Sequence, residues 1–357
     1  MKTVNDLKIP KKRLKGLLQN SEKSAEIINL VYISDKEPGI ERIKHGRNFI
    51  YRKSGKKVTG KNDLLRIAKL VIPPAWENVW ICSLPNGHLQ ATGFDVKKRK
   101  QYKYHSSWSE FRNQTKFYQL SAFGKKLPAI REQLSKDLSK PGLPVEKVLA
   151  ASVMVMQETN IRIGSDVYEK LYGSFGVTTL KDKHVKINGS SVKFSFKGKK
   201  GIYHEIDLKS ARLARIIKKC RDIPGKELFQ YYNENGERSP IDSGMVNEYI
   251  KNICCDNFTA KDFRTWTGSV YAIETFKELG CCESETERKK RAIQVLDIVA
   301  KRLGNTRAVC KKYYVHPIIE EMYSNGKLET IFRTQKGESK DQFSEAEQIL
   351  MKILEAS

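Results

Sequence analysis

Val192-Lys-Phe-Ser-Phe-Lys-Gly-Lys-Lys-Gly-Ile-Tyr-His-Glu-Ile206 is the stretch on which the reading of this chain turns. Val192 to Phe196 and Ile202 to Ile206 are two alternating runs flanking Lys197-Gly198-Lys199-Lys200-Gly201, the pattern of a small β-hairpin with a basic, glycine-containing tip. Its surroundings are helical. Val145, Val148, Leu149, Val153 and Met156 recur at helical spacing before it. After it, Leu213, Ile216, Ile217 and Cys220 share one helical face, and Met245, Val246, Tyr249, Ile250 and Ile253 share another.

The first third of the chain has a different texture. Phe49 to Arg52, Val79 to Leu84 and His88 to Phe94 read as short strands, and Pro85-Asn86-Gly87 is a hairpin turn signal. One helix is expected there, from Asp63 to Val71, ended by Pro73-Pro74. These patterns predict an α+β chain: a β-rich N-terminal domain over 1–106, then a mostly helical domain over 107–357. Towards the C-terminus, Ser284-Glu-Thr-Glu287 is a capping-box pattern opening a helix that Gly304 ends. Asn305-Thr306 then reads as the cap of a short helix carrying Tyr313 and Tyr314. A polar stretch from Thr334 to Gln342 precedes a last amphipathic helix from Ser344.

Charge narrows the function. The 66 Lys and Arg against 41 Asp and Glu give a net charge of +25, and residues 1–105 alone hold 23 basic against 9 acidic side chains. Such a surplus points to a polyanion, with nucleic acid the first candidate and an anionic membrane the rival. The membrane reading is weak: the most apolar run, Val148 to Met156, is far shorter than the ~20 residues needed to span a bilayer. The basic N-terminus has no apolar segment behind it, so a cytoplasmic, soluble protein is expected. Seven cysteines with no Cys-x-x-Cys, and six scattered histidines, fit neither a disulfide framework nor a metal cage. Gly55-Lys-Lys-Val-Thr-Gly60-Lys61 comes near a phosphate-binding P-loop, but Asn62 stands where the Mg²⁺-binding hydroxyl is required, so no nucleotide is expected.

Four cationic or polar positions and a tyrosine stand out in the helical region. Arg162, in Asn160-Ile-Arg-Ile-Gly164, is presented from the end of the apolar helix, and Lys199 sits at the hairpin tip. Arg264 lies in Lys261-Asp-Phe-Arg-Thr-Trp266, between aromatics expected to fix its orientation. Leu303-Gly-Asn305-Thr306 is followed by Tyr314, nine residues beyond Asn305. In that order the set resembles the type IB DNA topoisomerases, the small poxvirus and bacterial form. Gly176-Val-Thr-Thr-Leu-Lys-Asp-Lys-His184-Val, Phe196-Lys-Gly-Lys199 and Asp262-Phe-Arg264-Thr carry the likeness, with Pro73-Pro-Ala-Trp76 and Arg99-Lys-Gln-Tyr102-Lys-Tyr104-His105 upstream.

The resemblance spans roughly residues 30–330 and implies two domains closing as a C-shaped clamp on double-stranded DNA. It implies a monomer that uses no metal and no nucleotide. Tyr314 would be the nucleophile, with Arg162, Lys199, Arg264 and Asn305 completing the site. Arg99, Tyr102, Tyr104, Tyr168 and Lys311 would contact DNA. Asn305 stands where poxvirus members carry His, as in bacterial members. Two alternatives share parts of this pattern. A tyrosine recombinase uses the same nucleophile and cations but usually a helical N-terminal domain, and a non-enzymatic DNA-compacting protein would explain the charge alone.

Overall fold

The computed structural model of the chain describes residues 20–46, 48–96, 98, 100–280, 282, 284–334 and 342–356. Two compact units divide it, Met1–Phe117 and Tyr118–Ser357. After a short helix α1 (Ser21–Ile27), the first unit builds six antiparallel strands: β1 (Ile40–His45), β2 (Asn48–Lys53), β3 (Lys56–Lys57), β4 (Glu77–Ile81), β5 (Leu89–Phe94) and β6 (Lys100–Tyr104). They lie in the order β3-β2-β1-β4-β5-β6. Pro85-Asn86-Gly87 does turn the chain between β4 and β5, and Gln90 secures the turn: its Nε2 donates to the Gly87 carbonyl at 2.8 Å and to those of Leu84 and Pro85. Helix α2 (Lys61–Lys69) buries Ile67 against Ile40, Val79, Ile81 and Ala91, and Arg66 donates to Gln90 and to the Cys82 carbonyl. The segment Pro73–Trp76 is held by Arg42, whose guanidinium donates to the carbonyls of Ile72, Pro73 and Trp76.

The units meet in sequence inside α3 (Ser106–Ser139). Its first turn belongs to the N-terminal unit because Trp108 is buried there, edge-on to His88 at 4.8 Å. The second unit is organised around α4 (Val145–Thr159), buried nearly all round from Val148 to Met156. A helix with apolar residues on every side is stable only when other elements enclose it. After it come α5 (Asp166–Tyr172), β7 (Val185–Asn188), β8 (Ser191–Lys197) and β9 (Tyr203–Lys209); β9 packs on α4, and β8 and β9 form the expected hairpin with Phe196 opposite His204. Helices α6 (Ala211–Arg221) and α7 (Ser243–Cys254) follow, separated by a short hairpin of β10 (Gln230–Tyr232) and β11 (Arg238–Pro240). The remaining helices are α8 (Ala260–Leu279), α9 (Glu285–Leu303), α10 (Arg307–Tyr313), α11 (Pro317–Ser324), α12 (Lys327–Thr334) and α13 (Glu345–Ala356).

Two expected caps are not made. Ser284 precedes α9, but its side chain makes no capping hydrogen bond, and Glu287 pairs with Arg291 one turn on at 2.6 Å. Thr306 is the N-cap of α10 without a side-chain bond, and Asn305 is engaged elsewhere. Residues 335–341, most of the expected polar stretch, lie outside the described residues, as do the basic positions 1–19. Among the described residues no helix is long and apolar enough to cross a membrane, and no cluster of His, Cys, Asp or Glu could hold a metal ion. Cys82, Cys220, Cys254, Cys282 and Cys310 are buried free thiols and Cys255 is an exposed one.

Helix α13 is pinned to α8 by a buried carboxylate. Glu347 accepts from Arg131 at 2.7 Å, from the Trp266 indole at 2.8 Å and from the Ser344 backbone at 2.9 Å. Burial alone would raise this carboxyl, but those donors outweigh it and hold its pKa below the usual carboxylate value. A carboxyl lowered by folding stabilises the fold above its unfolded pKa of about 4.3, and that stability is lost as pH falls through the lower folded value. Glu347→Ala should therefore cost about 3 kcal/mol at pH 7, the low end for a broken buried pair because Arg131 keeps 28% of its side chain exposed. Urea unfolding of the two proteins would check this: the gap should shrink in acid below about pH 4, and a gap that stays constant would refute it.

Candidate active site

The site forms where two helices end. Helix α4 stops at Asn160, in the left-handed conformation, and α9 stops at Gly304, likewise left-handed. The last carbonyls of a helix have no partners within it. Arg264, from the second turn of α8, supplies them: one amino group donates to the Asn160 carbonyl and the other to the Leu303 carbonyl at 2.8 Å. The expected aromatic brackets do not orient it. Phe263 and Trp266 turn into the core against Phe123, because neighbouring helix positions face different ways. Among the described residues the ring that Arg264 does meet is that of Tyr314, 5.2 Å from the guanidinium carbon.

Arg162 follows the end of α4 and returns to the end of α9. Its Nη2 donates to the Gly304 carbonyl at 3.1 Å and to Asn305 Oδ1 at 2.6 Å. Its backbone is gripped by the Gly176 loop: Val177 N donates to the Arg162 carbonyl at 2.8 Å and Thr178 N to the Ile163 carbonyl at 2.7 Å. Burial, and then the like charge of Arg264, lower the Arg162 pKa to about 10, still well above neutrality. Asn305 completes the corner by donating Nδ2 to the Leu303 carbonyl at 3.2 Å. Cys310 lies beneath, its thiol pushed up to about 11 by burial, so it is a neutral, inert floor rather than a nucleophile.

Tyr314 caps the C-terminus of α10 rather than lying within it. Its amide donates to the Cys310 carbonyl at 2.9 Å, and its own carbonyl accepts from Ser269 Oγ at 3.3 Å. Gly268 lets α8 approach this closely, since a Cβ there would lie 2.6 Å from the Tyr314 oxygen. Four of the five expected residues thus converge: Arg162, Arg264, Asn305 and Tyr314. Lys199 stands exposed in the turn after β8, outside this group; between its neighbour Gly198 and Gly304 lies a residue passed over in sequence, His204. The hairpin register, which sets His204 beside Phe196 next to Gly198, was the signal that could have found it.

The expected DNA contacts are spread more widely. Tyr102 and Tyr104 are exposed on one face of β6, their rings stacked with centroids 6.0 Å apart. Tyr168 is exposed on α5 beside Tyr172. Lys311 is exposed but paired with Glu320 at 2.7 Å. Arg99 lies outside the described residues.

Residues 105–341 match the family described as eukaryotic DNA topoisomerase I, catalytic core, and residues 48–95 match the bacterial DNA topoisomerase IB N-terminal domain. The chain belongs to the type IB DNA topoisomerases. It is 33% identical over 298 residues to DNA topoisomerase 1B of Acanthamoeba polyphaga mimivirus, covering 80% of this chain and 88% of that one. It is 26% identical over 249 residues to DNA topoisomerase I of Monkeypox virus, covering 69% and 76%. Among solved structures, the XerH site-specific recombinase in a post-cleavage complex aligns at a TM-score of 0.33 with 16% identity, over 52% of this chain and 47% of that one. The family match decides for a topoisomerase over the recombinase alternative.

The grip on Arg162 can be tested without altering a charged residue of the topoisomerase. Gly176 has extended backbone that any residue adopts, but a Cβ there would collide with the Arg162 carbonyl oxygen and lie 2.5 Å from the Gly164 amide. Gly176→Ala should displace Arg162 and slow plasmid relaxation about 10- to 100-fold, since an ångström of misplacement can cost that much. Wild-type relaxation rates in this variant would show that the loop does not set the arginine.

Proposed function

We propose that this topoisomerase cuts one strand of duplex DNA with Tyr314, holds the end as a 3′-phosphotyrosyl ester, and reseals it after rotation of the free end has released supercoils of either sign. The observation that carries this reading is the chemistry around the tyrosine. Among the described residues, every partner of Arg162 and Arg264 is neutral: backbone carbonyls, an amide oxygen and an aromatic ring. A buried cation, Arg264, and a half-buried one, Arg162, without a carboxylate match an anion brought in by the substrate.

In the forward step the Tyr314 oxygen gives up its proton to solvent and bonds to phosphorus while the bond to the 5′-oxygen breaks. Negative charge gathers on the non-bridging oxygens, where planar, permanently charged guanidinium groups are the fitting donors. A preorganised donor of this kind contributes about 2.7–4 kcal/mol to the barrier. Asn305 Nδ2 has a second N–H beyond the one given to Leu303, and that hydrogen would bind the same oxygens. Lys199 donates the proton that the departing 5′-oxygen needs. The covalent ester conserves the energy of the broken bond, so the 5′-hydroxyl attacks back with no ATP and no metal required.

The N-terminal unit would add groove and phosphate contacts through the stacked Tyr102 and Tyr104, with Arg99 beside them in sequence. We read the protein as working on DNA as a monomer, in the cytoplasm where the nucleoid lies. Purified protein should relax positively and negatively supercoiled plasmid in EDTA without ATP. Tyr314→Phe should abolish relaxation and Tyr313→Phe should retain it; the reverse result would reassign the nucleophile. A denaturant-stable adduct should carry label placed in the strand segment that ends in the 3′-phosphate, and an adduct held through a 5′-phosphate would overturn the reaction class.

A further inference from the structure

We propose that His204 is a positioning residue, a wedge between the Lys199 hairpin and the Asn305 turn that sets where the Lys199 ammonium meets the leaving oxygen. The inference rests on the reading of Lys199 as the proton donor. Three observations carry it, all within the C-terminal unit.

First, the His204 ring occupies space that two glycines leave open. A Cβ at Gly198 would lie 2.5 Å from His204 Cδ2, and a Cβ at Gly304 would lie 2.8 Å from Cε1. Gly198 directly precedes Lys199, and Gly304 directly precedes Asn305. The ring therefore touches the root of the hairpin tip with one edge and the end of α9 with the other. Second, His204 cannot swing away easily. It sits opposite Phe196 in the β8–β9 register, with ring centroids 5.2 Å apart and planes within 26° of parallel. The tip itself is closed by Gly198 N donating to the Ile202 carbonyl at 2.7 Å, and β8 is held on its other side by Phe175 N on the Lys197 carbonyl at 2.8 Å. Movement of the ring would thus carry Gly198 and Lys199 with it.

Third, the ring is suited to packing rather than to giving a proton. Burial, then Arg162 and Arg264, lower its pKa below the ordinary histidine value, so it is neutral at pH 7. Among the described residues its nitrogens make no hydrogen bond, so its contribution is its shape and place. Gly304 serves both sides, because its carbonyl accepts from Arg162 while a Cβ on it would meet the His204 ring. The corner that holds the phosphate-binding arginine and the wedge that holds the hairpin share one residue.

A bridging sulfur in place of the 5′-oxygen tests this, because a thiolate leaves without being protonated. Single-turnover cleavage is measured on synthetic duplexes, with 5′-oxygen and with 5′-sulfur, at a site mapped by adduct formation. His204→Ala should slow cleavage of the oxygen substrate about 10- to 100-fold, and Lys199→Ala at least as much. On the sulfur substrate both should come within about threefold of wild type. A His204→Ala defect that persists on sulfur while the Lys199→Ala defect vanishes would overturn the wedge and leave Lys199 as the acid. A Lys199→Ala defect that persists on sulfur would overturn the Lys199 reading, and the inference with it. Should His204→Ala fold poorly, Gly198→Ala asks the same question from the other side: its Cβ presses on the ring, so its defect too should vanish on sulfur, and persistence would count against the wedge.

Discussion

Two helix C-termini meet on one guanidinium, and the rest of the catalytic unit depends on that junction. Helices α4 and α9 each end in a left-handed residue with carbonyls left over, and each end carries about half a negative charge from its aligned peptides. Brought together without a cation, two such ends would repel and leave buried acceptors unmet. Arg264 satisfies one carbonyl from each helix with a fork whose geometry is fixed. A lysine at this position would offer a single point of charge and could not impose the same spacing. Once the ends are joined, the residues that follow them are placed: Arg162 two positions beyond Asn160, and Asn305 directly after Gly304.

The junction also decides the charge of the site. Helix dipoles and carbonyls soften the burial of a guanidinium, but they do not neutralise it. The structure then adds a second cation, Arg162, and closes the corner with groups that bring no negative charge: Asn305, a buried thiol at Cys310 and an aromatic ring. The lowered pKa of Arg162 records the strain of burial and like charge. A carboxylate here would relieve that strain and would also compete with a phosphate for both arginines. Leaving the cations paired only with neutral groups keeps them preorganised, so little reorganisation is needed when charge develops on the substrate.

Much of this was legible in sequence, and the parts that were not fail for identifiable reasons. The hairpin from Val192 to Ile206 and the faces of α6 and α7 are legible as periodicity, because one side of each packs on a core; the turn at Pro85–Gly87 is legible from its turn residues, and α4 from apolar residues at helical spacing although it is buried nearly all round. The β10–β11 hairpin was missed: three-residue strands are too short to alternate, although Asn233-Glu-Asn-Gly236 does carry a turn signal. Arg264 was found, but its orientation was credited to neighbours in sequence when carbonyls 104 and 39 residues away set it. Asn305 was read as a helix cap, the usual local use of such a residue, whereas a partner 143 residues away claims its oxygen. In each case local pattern identified the residue and long-range geometry assigned its role, which no window of sequence contains.

Tyr314 shows the same division most sharply. In a continuing helix, Tyr313 and Tyr314 would differ only by the ~100° between successive positions, and a small rotation of α10 could exchange them. The backbone forbids that exchange. Helix α10 ends at Tyr313, and Tyr314 adopts φ −128° and ψ −24°, outside the helical pattern. Its amide still bonds back to Cys310, while its carbonyl turns to Ser269 on α8 and its Cβ lies against Gly268. The helix that carries Arg264 therefore also fixes the backbone of the tyrosine, one turn further along. Tyr314 and the Arg264 guanidinium are referenced to a single rigid rod, so a shift of α8 moves them together rather than apart.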